Sequence, residues 1–313
     1  MEEKKITIIM PYYNAQDYLE AAVKSILNQT YRNVELICID DASTDNSRSI
    51  MNSFEDERIV HIVNEENQGC AHCRNQGLLA AKGDYIGFMD ADDISHISRL
   101  EKESNYLDEH QDVLAITVKY GYINAQGRRI RQGQETAVCE DINIRAFLLF
   151  GNCFGNGAAL FRREVVDRYH IMANEKLKTS SDFLFWQKCL LCGKMHCLDE
   201  ILYYYREGDY QSPIKRLVNK NHQADDNIKL SIFRFAWKHR GFCLNKKEIK
   251  YIYTYLYKKE QLHKLIDYWK GFHLYRKIKK QANSLGLVEK QEVLTIYKEG
   301  MKKQIMDFLK IMD

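Results

Sequence analysis

Asp84-Tyr85-Ile86-Gly87-Phe88-Met89-Asp90-Ala91-Asp92-Asp93 is a short apolar run that ends in three carboxylates. Its length and its aromatic and branched side chains suit a buried strand, which places the acids in the loop at that strand's carboxyl end. Carboxylate oxygens are the ligands a hard cation such as Mg2+ or Mn2+ takes, and Mg2+ is commonly held by one or two of them together with the phosphates of a substrate. That combination points to a nucleotide. An isolated Asp-x-Asp serves equally well as a cap on the following helix, so the segments before it decide between the two.

Ile6-Thr7-Ile8-Ile9-Met10, Val34-Glu35-Leu36-Ile37-Cys38-Ile39 and Arg58-Ile59-Val60-His61-Ile62-Val63 are mostly apolar and rich in β-branched residues, as strands covered on both faces should be. Residues 16–29 place Leu19, Ala22, Val23, Ile26 and Leu27 on one helical face, and residues 43–54 and 69–81 supply two further helices. Strand alternating with helix implies a parallel sheet with right-handed crossovers. Ligands bind such sheets at the carboxyl ends of the strands, and every strand here ends in polar groups: Pro11-Tyr12-Tyr13-Asn14, Asp40-Asp41-Ala42-Ser43, Asn64 with Asn67-Gln68-Gly69, and the carboxylate cluster.

Those endings, with Gln29-Thr30-Tyr31, Ser43-Thr44-Asp45, Arg74-Asn75-Gln76-Gly77 and Gly83-Asp84-Tyr85-Ile86 in the same order, resemble the family 2 glycosyltransferases. The resemblance is dense over residues 5–100, looser over 140–212 and absent beyond about 215. It implies the GT-A fold, an α/β architecture with a Rossmann-like, mostly parallel sheet and flanking helices. The division that follows is a GT-A domain over 1–214, with a nucleotide-sugar-binding half 1–110 and an acceptor half 111–214, and a helical basic region over 215–313.

The resemblance also implies roles. Pro11, Tyr12, Asn14, Asp41, Arg74, Asp90, Ala91 and Asp92 are the implied donor-binding set. Asp41 would accept the imide N–H of uracil, Arg74 would lie near base and diphosphate as a fixed donor fork, and Asp90 would hold ribose hydroxyls or a metal-bound water. Asp92 would be the direct ligand of Mn2+ or Mg2+, with Asp93 behind it. Asp182, in Thr179-Ser180-Ser181-Asp182-Phe183, would be the base that takes the acceptor hydroxyl's proton, although Ser181 stands where many members have a second acid. Asn156, where relatives often have His, and Arg206, in a segment that with Ser212 closes over the diphosphate in relatives, are secondary candidates.

The activity implied is metal-dependent, inverting transfer of a sugar from a nucleotide-sugar, a UDP-sugar, to a hydroxyl of a glycan or lipid-linked glycan in cell-surface polysaccharide synthesis. The alternative is a catalytically inactive nucleotide-binding or scaffold module of a glycan-assembly complex. A dehydrogenase would carry Gly-x-Gly-x-x-Gly after the first strand, where Pro11-Tyr12-Tyr13-Asn14 stands, and the chain has no Gly-x4-Gly-Lys-Ser/Thr loop.

Elsewhere, residues 114–122 and 128–132 read as a hairpin around Asn124-Ala125-Gln126-Gly127, and residues 151–159 as flexible by composition. Cys189, Cys192, His196 and Cys197 have superficial zinc spacing, but residues 182–192 pattern as a helix ended by Gly193, so buried thiols are the expectation.

Charge divides the 313 residues unevenly: residues 1–214 carry a net of −10 and residues 215–313, with 23 Lys and Arg against 10 acids, a net of +13, which sets a boundary near Pro213. The basic part reads as helices, opened by a capping box at Asn245 and Glu248. Its last helix gathers Val293, Ile296, Tyr297, Met301, Ile305, Phe308 and Leu309 on one face. That face fits an anionic membrane surface or the inside of the fold, and dispersed cations without a binding motif argue against nucleic acid. With no signal-peptide core and no long apolar run, the expectation is a chain that is either cytoplasmic or peripherally bound at the inner face of the membrane.

Overall fold

The computed structural model describes residues 3–131, 139–207, 222–261 and 265–312. They form two compact units, one from residues 1–139 and 154–217, the other from 140–153 and 218–313.

The first unit is built on a nine-stranded mixed sheet. Strands β1 (Ile6–Tyr12), β2 (Val34–Asp40), β3 (Ile59–Val63) and β4 (Tyr85–Phe88) are parallel, in spatial order β3-β2-β1-β4. Helices α1 (Leu19–Leu27), α2 (Ser47–Asn52) and α3 (Cys70–Ala80) connect them. The α1 face expected from its periodicity is the buried one. β1 runs two residues further than expected, through Pro11 and Tyr12, which pair with Ile39 and Asp40. Proline is tolerated in this central strand because its ring faces the β4 side, where pairing has already ended at Ile9 and Phe88. β3 is an edge strand: Val60 and Val63, on opposite faces of its pleat, are exposed and its other residues half-buried, so neither face has the full cover that the sequence suggested.

Beyond β4 the direction changes. β8 (Leu160–Arg162) is antiparallel to β4 and to β6 (Val113–Ile123), while β9 (Lys194–Arg206) runs parallel to β6 and antiparallel to β5 (Ile94–Ser95). The expected hairpin is formed by β6 and β7 (Arg129–Arg131); Gln132 lies outside the described residues. Phe154, Gly157, Ala158 and Ala159 are buried, which corrects the flexible reading of that stretch. Packing of Phe154 against Trp186, with ring centroids 4.6 Å apart, outweighs the local glycine content.

The second unit is helical. Asp141–Leu148 belongs to it and not with the acceptor half: Trp237 donates from Nε1 to the Leu149 carbonyl at 2.9 Å, and Ile144, Ala146 and Leu148 are buried. Net charge marks where basic sequence begins, not which apolar faces it covers. The capping box forms as read, with Asn245 Oδ1 accepting from Lys247 and Glu248 N, and Glu248 Oε2 accepting from Asn245 N. The helix Lys246–Tyr251 then widens into a π-helical stretch, Ile252–Tyr257, whose Tyr255 carbonyl accepts from Gln304 Nε2 at 3.0 Å. Val293 and Tyr297 of the last helix, Lys290–Met312, are fully buried in this unit; Pro213 and the side chains of Ile305, Phe308 and Leu309 lie outside what is described.

Candidate active site

Because β1 to β4 are parallel, their four carboxyl ends share one edge, and backbone strain concentrates there. Asn14 after β1 and Ala42 after β2 both adopt positive φ, +50° and +62°, a conformation residues other than glycine rarely take. Asn14 ties the two loops together, its Oδ1 accepting from Thr44 N at 2.8 Å while its own N–H donates to Ser43 Oγ. Tyr12 is buried, with its hydroxyl 2.7 Å from His61 Nε2 and the two rings stacked.

Asp41, also buried, anchors the next loop. Its Oδ1 accepts from Gln68 N at 2.8 Å and Asn64 Nδ2 at 3.2 Å, and its Oδ2 from Gly69 N at 2.8 Å. Gly69 has φ +91° and is the N-cap of α3, so the carboxylate holds the two backbone amides that lead the chain into the helix. A polar cleft of about 430 Å³ opens beside this anchor, lined by Asn64, Glu65, Glu66, Gln68, His72 and Gln76. Asn75, next to Arg74, grips a distant loop through its side chain, donating to the Ala173 carbonyl and accepting from Ala173 N.

Arg74 is the hinge of the site. From α3 its Nη2 donates to Asp90 Oδ1 at 3.0 Å, and its guanidinium lies over the Phe88 ring at 5.5 Å. Burial opposes its charge, but the Cys70 thiol and the carboxylates of Asp90 and Asp182 outweigh that and push its pKa up. Asp182 lies in the first turn of α7 (Ser181–Leu190), just after Ser180 at φ +56°. Burial raises the Asp182 pKa; Arg74 pulls it back and Asp90 adds to the rise. Phe185 and Trp186 of α7 pack on Phe88 of β4, with centroids 5.8 and 6.4 Å away. One aromatic cluster therefore fixes both the helix that carries Asp182 and the strand that delivers Asp90.

The remaining carboxylates differ in kind. Asp93 is fully enclosed, accepting from Tyr203 Oη at 2.8 Å and Arg206 N at 2.7 Å, and burial with the Asp92 and Asp90 charges pushes its pKa well up. Asp90 has 35 % of its side chain exposed and Asp92 is half-buried, so these two are the acids presented to a ligand. Ala91 between them is buried. Arg206 is buried too: its Nε donates to the Asp92 carbonyl at 2.6 Å, its Nη1 to the carbonyls of Asn124 and Ala125, and its guanidinium lies over the Tyr18 ring at 4.4 Å. In this conformation Arg206 clamps the acidic loop from behind; Ser212 lies outside the described residues. Asn156 accepts from Ala159 N through its carbonyl, and its Nδ2 is shielded without a hydrogen bond among the described residues.

Two residues not singled out from the sequence complete the loop's support. Tyr203 donates to Asp93 and sits 3.4 Å from Asp90 N, and Gly157 has no room for a side chain, since a Cβ there would lie 2.7 Å from Asp90 Oδ2. Both come from remote segments, β9 and the turn before β8, so no local pattern marks them.

Among the described residues no group of three His, Cys, Asp or Glu side chains converges as a ready-made metal cage. The pair that is presented, Asp90 and Asp92, fits the other mode of holding Mg2+ or Mn2+, in which a substrate's phosphates supply the further oxygens.

The family model described as Glycosyl transferase family 2 matches residues 7–169. A Haemophilus influenzae protein named uncharacterized glycosyltransferase is 36 % identical over 220 residues, covering 69 % of this chain and 82 % of its own length. Poly(ribitol-phosphate) beta-N-acetylglucosaminyltransferase TarP of Staphylococcus aureus is 32 % identical over 226 residues, covering 70 % of this chain and 67 % of TarP. Among solved structures, S. aureus TarS 1–349 in complex with UDP-GlcNAc has the same fold, with a TM-score of 0.64 at 18 % identity, covering 97 % of this chain and 92 % of that one.

Proposed function

This chain belongs to glycosyltransferase family 2 and has the GT-A fold, and on that footing we propose that it transfers a sugar from a UDP-sugar to a hydroxyl of a glycan acceptor with inversion at the anomeric carbon. The observation that carries the proposal is the hydrogen bond from Arg74 to Asp90 at the carboxyl edge of the sheet, with the Arg74 charge also bearing on Asp182. Asp182 then has a donor-side cation at hand, and burial raises its pKa above the usual carboxylate value, which makes it a stronger base.

The acceptor oxygen attacks the anomeric carbon while Asp182 takes its proton; the bond from that carbon to the β-phosphate oxygen breaks, and UDP departs. A single displacement inverts the centre. Asp90 and Asp92 would hold Mn2+ or Mg2+, which when bound neutralises charge on the departing diphosphate. Base recognition falls to Asp41 and the cleft beside it, the carboxylate exchanging a loop amide for the imide N–H of uracil. Pro11, Tyr12 and Asn14 form the adjoining wall, Ala91 spaces the two acids, and Asn156 lies toward the acceptor. The UDP-GlcNAc of TarS and the poly(ribitol-phosphate) in TarP's name support a UDP-sugar donor and a hydroxyl-bearing polymer as acceptor.

A panel of nucleotide-sugars assayed for UDP or GDP release, with and without Mn2+, tests this. Mn2+-dependent UDP release from one sugar nucleotide is expected. UDP binding without turnover on any donor, in the presence of glycan acceptors, would favour the inactive binding module.

A further inference from the structure

The helix Leu265–Leu285 has two unlike faces. Gly271, Leu274, Ile278 and Ala282 are buried in the helical unit, whereas Ile266, Trp269 and Phe272 stand 56, 62 and 53 % exposed. At about 100° per residue, Trp269, Arg276 and Lys280 fall opposite the buried stripe, flanked by Phe272 and Lys279 on one side and His273 on the other. All six are exposed. The Arg276 guanidinium lies over the Phe272 ring at 5.9 Å. Asp267, the helix's one acid, lies toward the buried side and pairs with Lys270 at 2.8 Å, so no carboxylate from this helix offsets the outward cations. Beside the stripe, a groove of about 720 Å³ is lined by Lys247, Glu248, Trp269, Lys270, His273 and Lys277, among others; Lys270 and Lys277 are paired there with Asp267 and Glu248, which leaves Arg276, Lys279 and Lys280 as the outward cations.

Large aromatic side chains left in water among uncompensated cations mark a surface that something covers. The charge complement must be anionic, and Trp beside Lys and Arg is the composition favoured at lipid headgroups. Residues 215–313 carry a net of +13, and among the described residues no helix is long and apolar enough to cross a membrane. We propose that this face docks on an anionic phospholipid surface, with Trp269 and Phe272 at the headgroup–acyl boundary and Arg276, Lys279 and Lys280 on lipid phosphates. On the last helix, by contrast, Val293 and Tyr297 are fully buried, so that part of its apolar face is taken up within the helical unit.

Trp269 is also the reporter, because the other two tryptophans, Trp186 and Trp237, are fully buried. The full-length chain is mixed with phosphatidylcholine vesicles, with or without phosphatidylglycerol, and followed by sedimentation and tryptophan emission. Sedimentation with a blue shift is expected only with the anionic lipid, and both should reverse near 1 M salt, where the Debye length is about 3 Å. Trp269→Ala with Phe272→Ala, and separately Lys279→Glu with Lys280→Glu, should each weaken partitioning at least ~10-fold. All four positions are exposed, so circular dichroism and melting should match the parent chain. The proposal is overturned if the parent chain stays in the supernatant, if neutral vesicles bind it equally, or if both double variants partition like the parent. A dimer in solution that Trp269→Ala splits would instead make this face a contact between two copies.

Discussion

Arg74 donates to Asp90 at 3.0 Å while its charge also bears on Asp182, so one guanidinium ties the acid delivered by β4 to the acid that opens α7. Removing either carboxylate changes what the other experiences, and the first two predictions come from that coupling.

Asp182→Asn should leave UDP affinity nearly intact and lower turnover by about two to four orders of magnitude, the range for losing a general base. It should also stabilise the protein near neutral pH. Burial raises the Asp182 pKa above its unfolded value, so the carboxyl's contribution to stability is fully present below the unfolded pKa, about 4, and is lost as pH rises through the raised folded value. Asn does not titrate, so a melting-temperature gain seen near pH 7 should vanish around pH 4. Near-normal turnover would return Asp182 to the role of a first-turn acid.

Asp92→Ala should abolish the Mn2+ dependence of UDP binding, because the loop then presents Asp90 alone, and Asp90 is already held by Arg74. Calorimetric titration of UDP with and without Mn2+ decides the matter. An unchanged affinity in the presence of Mn2+ would remove Asp92 from the ligand set.

The first four strands and their helices were readable because their periodicity is local: Leu19, Ala22, Val23, Ile26 and Leu27 announce one buried face without reference to anything else. The acids after β4 were readable for the same reason. What the sequence withheld is non-local. Tyr203 bonds Asp93 from β9, 110 residues further along the chain, and Arg206, taken for a cover over the diphosphate, spends its donors on backbone carbonyls of two loops. The widening of the helix at Ile252–Tyr257 follows from packing between helices, since Gln304 serves its Tyr255 carbonyl, and no spacing in the segment itself encodes that.

Gly157→Ala should weaken Mn2+-dependent UDP binding by roughly tenfold or more while the chain still folds. Its Cβ would stand 2.7 Å from Asp90 Oδ2 and press on the Tyr203 hydroxyl as well, so the added methyl must displace the carboxylate that the donor needs. The size follows from a strain of about 1–3 kcal/mol for overpacking a close-fitted site. Circular dichroism and the same titration check it, and parent-like affinity would mean that the Asp90 carboxylate moves aside without consequence.

Glu103→Gln should flatten the dependence of stability on pH. Arg99 and Glu103 of α4 (Arg99–Glu109) are both fully buried, 3.9 Å apart, beneath Tyr203, whose ring Arg99 approaches at 5.5 Å. Burial pushes the Glu103 pKa up to about 8, against the pull of the Arg99 charge. With the folded pKa above the unfolded one, the stabilising contribution is complete below the unfolded value of about 4.3 and declines as pH rises toward 8, by at most about 1.4 kcal/mol per pH unit. Gln mimics the protonated acid and does not titrate. Melting temperatures taken from about pH 5 to pH 8 should therefore fall more steeply in the parent chain than in the variant. Arg99 Nη1 also donates to the Gly157 carbonyl at 3.0 Å, so ionising Glu103 acts on the turn that adjoins Asp90, and UDP affinity above pH 8 should decline in the parent but not in the variant. Parallel melting curves for the two proteins would show that Glu103 is ionised throughout and that its pairing with Arg99 outweighs burial.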